Sequence, residues 1–240
     1  MSMFPDNNTT RRPIELGYAT DEGVIFHFFN AVYAWMCVGL AVTASTAWLV
    51  SQNVAMVKAF NSSGLGIIFL LGSVAMVWAI QSTARRVQPT LATILFLLYS
   101  AVIGAIFSGI FVEYNLQTIS GAFIMTAGVF GGMSVYGFVT KRDLTAMRSI
   151  LYMCLWGLIL ATVVNFFLAS SALYWLINYA ILALFIGLTA ADTQRLKAIA
   201  QQVRGDARAS ASYAIIGSLQ LYLDFINMFL VILRILGNRR

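Results

Sequence analysis

The chain of 240 residues is poor in charge. Lys, Arg, Asp and Glu make up 10% of it, while 60% is hydrophobic. A soluble domain carries about 25% charged and 45–50% apolar residues. So few charges cannot cover a water-facing surface, which excludes an ordinary soluble globular domain, and a chain this apolar is not disordered either. There is one histidine, His27, so an HExxH helix or a His-based zinc cluster is excluded. The two cysteines, Cys37 and Cys154, supply no disulfide framework. Both lie inside apolar runs, where they are expected as small buried hydrophobes. Of three prolines, Pro5 and Pro13 fall in the amino-terminal tail. Pro89 falls just before an apolar run, where a missing N–H does little harm to a helix. No Walker A, GxGxxG or GxSxG pattern occurs. The net charge of +6 is read from its distribution, and it gives no reason to expect nucleic acid as a partner.

What the chain does have is apolar length. Seven segments stand out, at 28–50, 65–82, 90–112, 118–140, 149–169, 173–191 and 213–236. Each is long enough for a tilted helix to cross about 30 Å of hydrocarbon. In lipid every backbone N–H and C=O must be bonded internally, so helices are the default. The expected fold is an all-α integral membrane protein: a polar tail at 1–27, then a single transmembrane domain of seven helices at 28–240. The tail mixes Asp6, Glu15, Asp21 and Glu22 with Arg11 and Arg12. It does not read as a cleavable signal, and the first run is expected to stay as an anchor. Counted by connection, eleven Lys and Arg residues fall on the side of the amino terminus and four on the other. The amino terminus is therefore expected in the cytoplasm. Gly128 and Gly132 form a GxxxG, and Gly104 with Ser108 a looser pair of small residues. Both are expected to let helix backbones approach closely within the bundle.

Acids are scarce enough to examine one by one. Asp6, Glu15, Asp21, Glu22, Asp143 and Asp206 lie in the tail or in connections, and Glu113 ends a helix at the outer face. Asp224 is different: eleven segment residues precede it and twelve follow it. A charge so deep costs at least about 2.5–3.5 kcal/mol on insertion scales, so it must face protein or water. Tyr213, Gly217, Gln220, Asp224, Asn227, Val231 and Arg234 follow alternating steps of four and three, one stripe on one helical face. A largely polar stripe on an otherwise apolar helix must be buried, which places the last helix centrally. Asp192 closes the sixth apolar segment, where the helix dipole opposes a carboxylate. Either the helix continues past it or it has a partner, with Arg195 and Lys197 the nearest cations.

If Asp192 and Asp224 meet, they cannot both ionise cheaply in low dielectric, and a proton is shared. Deprotonated, the pair offers hard oxygens to Ca²⁺. The meeting is strained on hydropathy alone. With Tyr213 at the surface, Asp224 lies about 16 Å inside, while Asp192 stays near the surface. Arg85 and Arg86, at the cytoplasmic end of the second helix, are candidates to latch the pair, or simply part of the cytoplasmic positive charge. Two other chemistries are weaker. Ser134 lacks a nearby base for an intramembrane serine protease. An aspartyl protease usually has glycine beside its second aspartate, whereas Tyr222-Leu223 precede Asp224.

Three segments carry a resemblance. Leu221-Tyr222-Leu223-Asp224-Phe225-Ile226-Asn227, Asp192-Thr193-Gln194-Arg195-Leu196-Lys197 and Tyr136-Gly137-Phe138-Val139-Thr140-Lys141-Arg142-Asp143-Leu144 together resemble the Bax inhibitor family, the transmembrane Bax inhibitor motif proteins. The likeness runs from about residue 27 to the end, and the ending Leu236-Gly237-Asn238-Arg239-Arg240 is similar to its bacterial inner-membrane members. The resemblance implies a seven-helix bundle around the last helix and a non-enzymatic, pH-sensitive calcium leak. It puts the family's aspartate pair on Asp192 and Asp224 and its latch arginine on Arg85 or Arg86, while Gln220 and Asn227 of the polar stripe are expected to support the pair. It implies Ca²⁺ as the bound or transported ion, with no other cofactor, and the lipid bilayer as the surrounding partner. Some bacterial relatives instead restrain a membrane-anchored ATP-dependent protease, a second expectation for a partner. One departure stands: several relatives have tyrosine before the first aspartate, where this chain has Ala191.

Overall fold

The computed structural model describes residues 21–61 and 63–237, with the side chains at 21, 22, 61–65, 67 and 70 outside the description. Most of the polar tail and the terminal Arg239 and Arg240 therefore lie outside the described residues. The order is α1 (Asp21–Ser51), α2 (Val54–Asn61), α3 (Ser63–Arg85), α4 (Pro89–Ile106), a 3₁₀ turn at Phe107–Gly109, α5 (Ile110–Glu113), α6 (Leu116–Val139), α7 (Thr145–Leu168), α8 (Ser171–Gln202) and α9 (Ala207–Leu236). The described residues contain helix and no strand. Six helical stretches are long and apolar enough to cross a membrane, one of them α4 continued through the turn into α5. The segment expected at 65–82 falls in α3, which is not among those six, so a seventh span is not counted here.

Local chemistry sets the ends. Pro89 opens α4, Asn115 caps α6 by accepting from Thr118 N at 2.7 Å, and Asp206 caps α9 by accepting from Ala209 N at 2.8 Å. The connections after α5 and α7 are short enough to force antiparallel hairpins.

The last helix is central, as the polar stripe predicts. In its most apolar window α9 is 67% buried, against at most 39% for any other span and 0% for α7. A buried network ties it down: Thr43 Oγ1 and Tyr222 Oη are 2.7 Å apart, and Thr43 Oγ1 donates to Ser100 O at 3.0 Å. That joins α1, α4 and α9, with the Phe96 and Tyr99 rings edge-on to Tyr222. The exposed shell is aromatic and aliphatic, with Phe166, Phe167 and Trp78 among its most open members, which suits hydrocarbon rather than water.

Two expectations about small residues are corrected. Cys37 and Cys154 are exposed rather than buried. Gly128 and Gly132 pack against nothing: a Cβ built at either meets no atom within 4 Å. Spacing alone does not say which face of a helix it lies on, and this pair faces outward. Gly104 does make the close approach expected of it, since a Cβ there would come within 2.5 Å of Thr43 O, and Gly137 makes another, where a Cβ would run into Ala190 O. Gly137→Ala should therefore destabilise the detergent-solubilised protein by about 1–3 kcal/mol, the usual cost of overpacking. Gly128→Ala should be neutral or slightly stabilising through helix propensity. Thermal unfolding of the two variants side by side checks this.

Candidate functional site

Both aspartates are buried, Asp192 at 0% exposure and Asp224 at 4%. The hydropathy reading ends the sixth segment at Asp192, but α8 runs ten residues further, to Gln202. The polar side chains past Asp192 interrupt the apolar run without interrupting the helix. At the other side of the turn, α9 begins at Ala207, so seventeen helical residues precede Asp224. Both acids thus lie well inside the bundle, on adjoining antiparallel helices. Gly217 of α9 packs against Leu196 of α8, and Gln220 acts on Asp192, so Asp224 lies about one helical turn deeper than Asp192. The two carboxylates act on one another through their charges rather than through a shared hydrogen bond.

The cation that answers them is Arg148, on α7. Its Nε donates to Asp192 Oδ1 at 2.6 Å, and its charge also reaches Asp224. Arg148 stacks over the Tyr152 ring with its guanidinium carbon 4.8 Å from the centroid. Gln220 Nε2 contacts Tyr152 Oη at 3.4 Å, and Gln220 also acts on the Asp192 carboxylate. The arginine paired with Asp192 is thus Arg148, whereas the resemblance offers Arg85 or Arg86 as the latch. Arg86 is exposed at the end of α3. Arg85 is also exposed and lines a cavity of about 460 Å³ that Arg148, Arg195, Tyr152, Tyr213 and Gln220 share. Arg195 acts on Asp192 only at a distance. Asn227, expected as a supporting polar residue, donates to Leu223 O at 2.8 Å on its own helix. Arg234, farther along the stripe, donates to Asn178 Oδ1 at 3.4 Å.

One carboxylate oxygen of each aspartate, Asp192 Oδ2 and Asp224 Oδ2, is buried without a hydrogen-bond partner. Such groups are uncommon in native interiors and mark places where a proton, water or ion belongs. Among the described residues no group of three or more His, Cys, Asp or Glu side chains is arranged to hold a metal.

The two quoted segments flanking the site are physical partners. Gln194 Oε1 accepts from Leu144 N and Gln194 Nε2 donates to Arg142 O, each at 2.8 Å. Lys197 Nζ donates to Phe138 O at 3.0 Å and lies over the Phe138 ring. Lys197 is thus spent on backbone, not on Asp192. Ser134 is spent structurally as well, between Tyr33 and Thr193 Oγ1. Asp143, in the connection between α6 and α7, is held below the usual carboxylate range by the Thr145 side-chain hydroxyl and by the Thr145 backbone N–H that it accepts from.

Removing one partner of a buried ion pair leaves a charge without compensation. Arg148→Gln should cost toward the lower end of ~3–5 kcal/mol, since the arginine itself is part-exposed. Adding Asp192→Asn to it should restore most of the loss, whereas Arg86→Gln should change little. Thermal melts of the single and double variants form the cycle that checks this.

A family model described as "Inhibitor of apoptosis-promoting Bax1" matches residues 26–240. The chain is 43% identical over 244 residues to inner membrane protein YbhL of Escherichia coli, covering 100% of both chains. It is 42% identical to an uncharacterized protein of Borreliella burgdorferi, over 89% of this chain and 92% of that one. It is 41% identical to an uncharacterized protein of Deinococcus radiodurans, over 89% and 90%. With the family segments folded against one another around a buried central helix, the chain belongs to the Bax inhibitor family of integral membrane proteins.

Proposed function

We propose that the chain is a passive path for Ca²⁺ through the bacterial inner membrane, gated by protonation at Asp192 and Asp224. The observation that carries this reading is the pair of buried carboxylates, of which Asp192 keeps one oxygen unpartnered and Asp224 accepts no hydrogen bond among the described residues. Arg148 supplies one positive charge against two negative ones. A single proton balances the trio, and a cation passing the site balances it as well. Hard carboxylate oxygens suit Ca²⁺, which takes six to eight oxygen ligands when held tightly. Two carboxylates without further acids offer a stepping place rather than a cage, and weak binding favours passage over retention.

The same reading assigns α3 as the seventh span and puts the amino terminus in the cytoplasm, where the Lys and Arg excess lies. The inner membrane is supported by the name of the Escherichia coli relative. Acidification protonates the carboxylates, weakens their hold on Arg148 and frees α9 to shift against α8. The expected sign is therefore a flux that rises as pH falls.

Calcium-loaded proteoliposomes holding the full chain test this. The parent should leak faster in mildly acidic than in mildly alkaline buffer. Asp224→Asn should pass Ca²⁺ at a rate that no longer responds to pH, and Arg148→Gln should leak at both. Flux from Asp224→Asn that titrates like the parent's overturns the gating.

A further inference from the structure

The cavity beside the acid pair has the wrong sign for a cation. Three arginines line it: Arg85 from the end of α3, Arg148 from the first turn of α7 and Arg195 from α8. Of these three, only Arg148 is ion-paired among the described residues, with Asp192. The other two guanidinium groups line the same concavity with no carboxylate in salt-bridge contact, Arg195 feeling Asp192 only at a distance. Tyr152, Tyr213 and Gln220 line it too and supply further donors. Gln81 lines it as well, and the remaining wall, Ile199, Ile216, Leu219 and Leu223, is aliphatic.

We propose that this cavity is a site for a phosphate-type oxyanion, either free phosphate or the phosphate of an anionic lipid headgroup. Arginine suits it by shape as well as charge, since its planar fork meets two phosphate oxygens at once. A volume of about 460 Å³ leaves room for the anion with part of its ester or its water. The location fits both sources. The cavity lies at the end of the bundle that carries most of the Lys and Arg, where anionic headgroups gather on the cytoplasmic leaflet. A plain excess of positive charge on that side explains arginines scattered into water. It does not explain three of them converging on one hollow with donor side chains between them. An anion bound there shares Arg148 with Asp192, so its occupancy acts on the ion pair directly. The site stands on the cavity and its lining, and it does not depend on Ca²⁺ being the transported ion.

The full chain, purified and delipidated in a neutral detergent, is titrated with inorganic phosphate against chloride at matched ionic strength, and its thermal midpoint is followed. A ligand that binds only the folded state raises that midpoint. In parallel, the chain is placed in phosphatidylcholine nanodiscs with and without phosphatidic acid. Stabilisation by phosphate alone assigns the free ion, by phosphatidic acid alone the headgroup, and by both a site that takes either. In each case Arg85→Gln/Arg195→Gln should need about tenfold or more ligand for the same shift, because two charge-assisted hydrogen-bonding groups are gone. If that variant does not fold, Arg85→Lys/Arg195→Lys keeps the charge but loses the fork and should weaken binding in the same direction. No shift from either probe, or equal shifts in parent and variants, overturns the site.

Discussion

A carboxylate taken out of water must find a cation or a proton, and the arrangement of this molecule follows from that need. Asp192 is fully buried and answered by Arg148. Asp224 is nearly as buried and answered only through space. In both, Oδ2 is buried without a hydrogen-bond partner. The cost of such groups in low dielectric explains why the helix carrying Asp224 sits in the middle of the bundle while α7, which lends its arginine, lies at the edge. It also explains the polar stripe along α9: Tyr213 and Gln220 face the same cavity as Arg148. Farther along that helix, Arg234 finds Asn178.

The sequence-readable part of this is the part encoded within one helix. Asp224 stands in a greasy run, and the steps of four and three around it define a face, so its burial and the central place of α9 follow from spacing. Asp192 is visible as an acid next to an apolar run. Its partner is not, because Arg148 is 44 residues away and in sequence looks like one more basic residue of a cytoplasmic connection. Arg85 and Arg86 look identical to it on that measure. Hydropathy also misplaces the end of α8, because polar residues that face the α6–α7 connection interrupt the apolar run while the helix goes on to Gln202. Gly128 and Gly132 show the same limit. Their spacing is that of a packing motif, but the face they share is open, and only the neighbours decide that.

Membership of the Bax inhibitor family brings the three quoted segments under one physical account. The segment 136–144 and the segment 192–197 touch through Gln194 and Lys197. The segment 221–227 brings Tyr222 to Thr43 and Asp224 into charge range of Asp192.

The double grip of Gln194 on the backbone at 142 and 144 has a mechanical meaning. With both ends of its amide engaged, the turn between α6 and α7 is riveted to α8, and Arg148 rides four residues beyond the rivet. The bridge from Arg148 to Asp192 is therefore internal to a fixed jaw. Asp224 belongs to the other jaw, α9, which enters from a separate turn. A motion of the bundle can change how far the deeper acid stands from the bridge while leaving the bridge whole, so the two aspartates are mechanically unequal even though chemically alike.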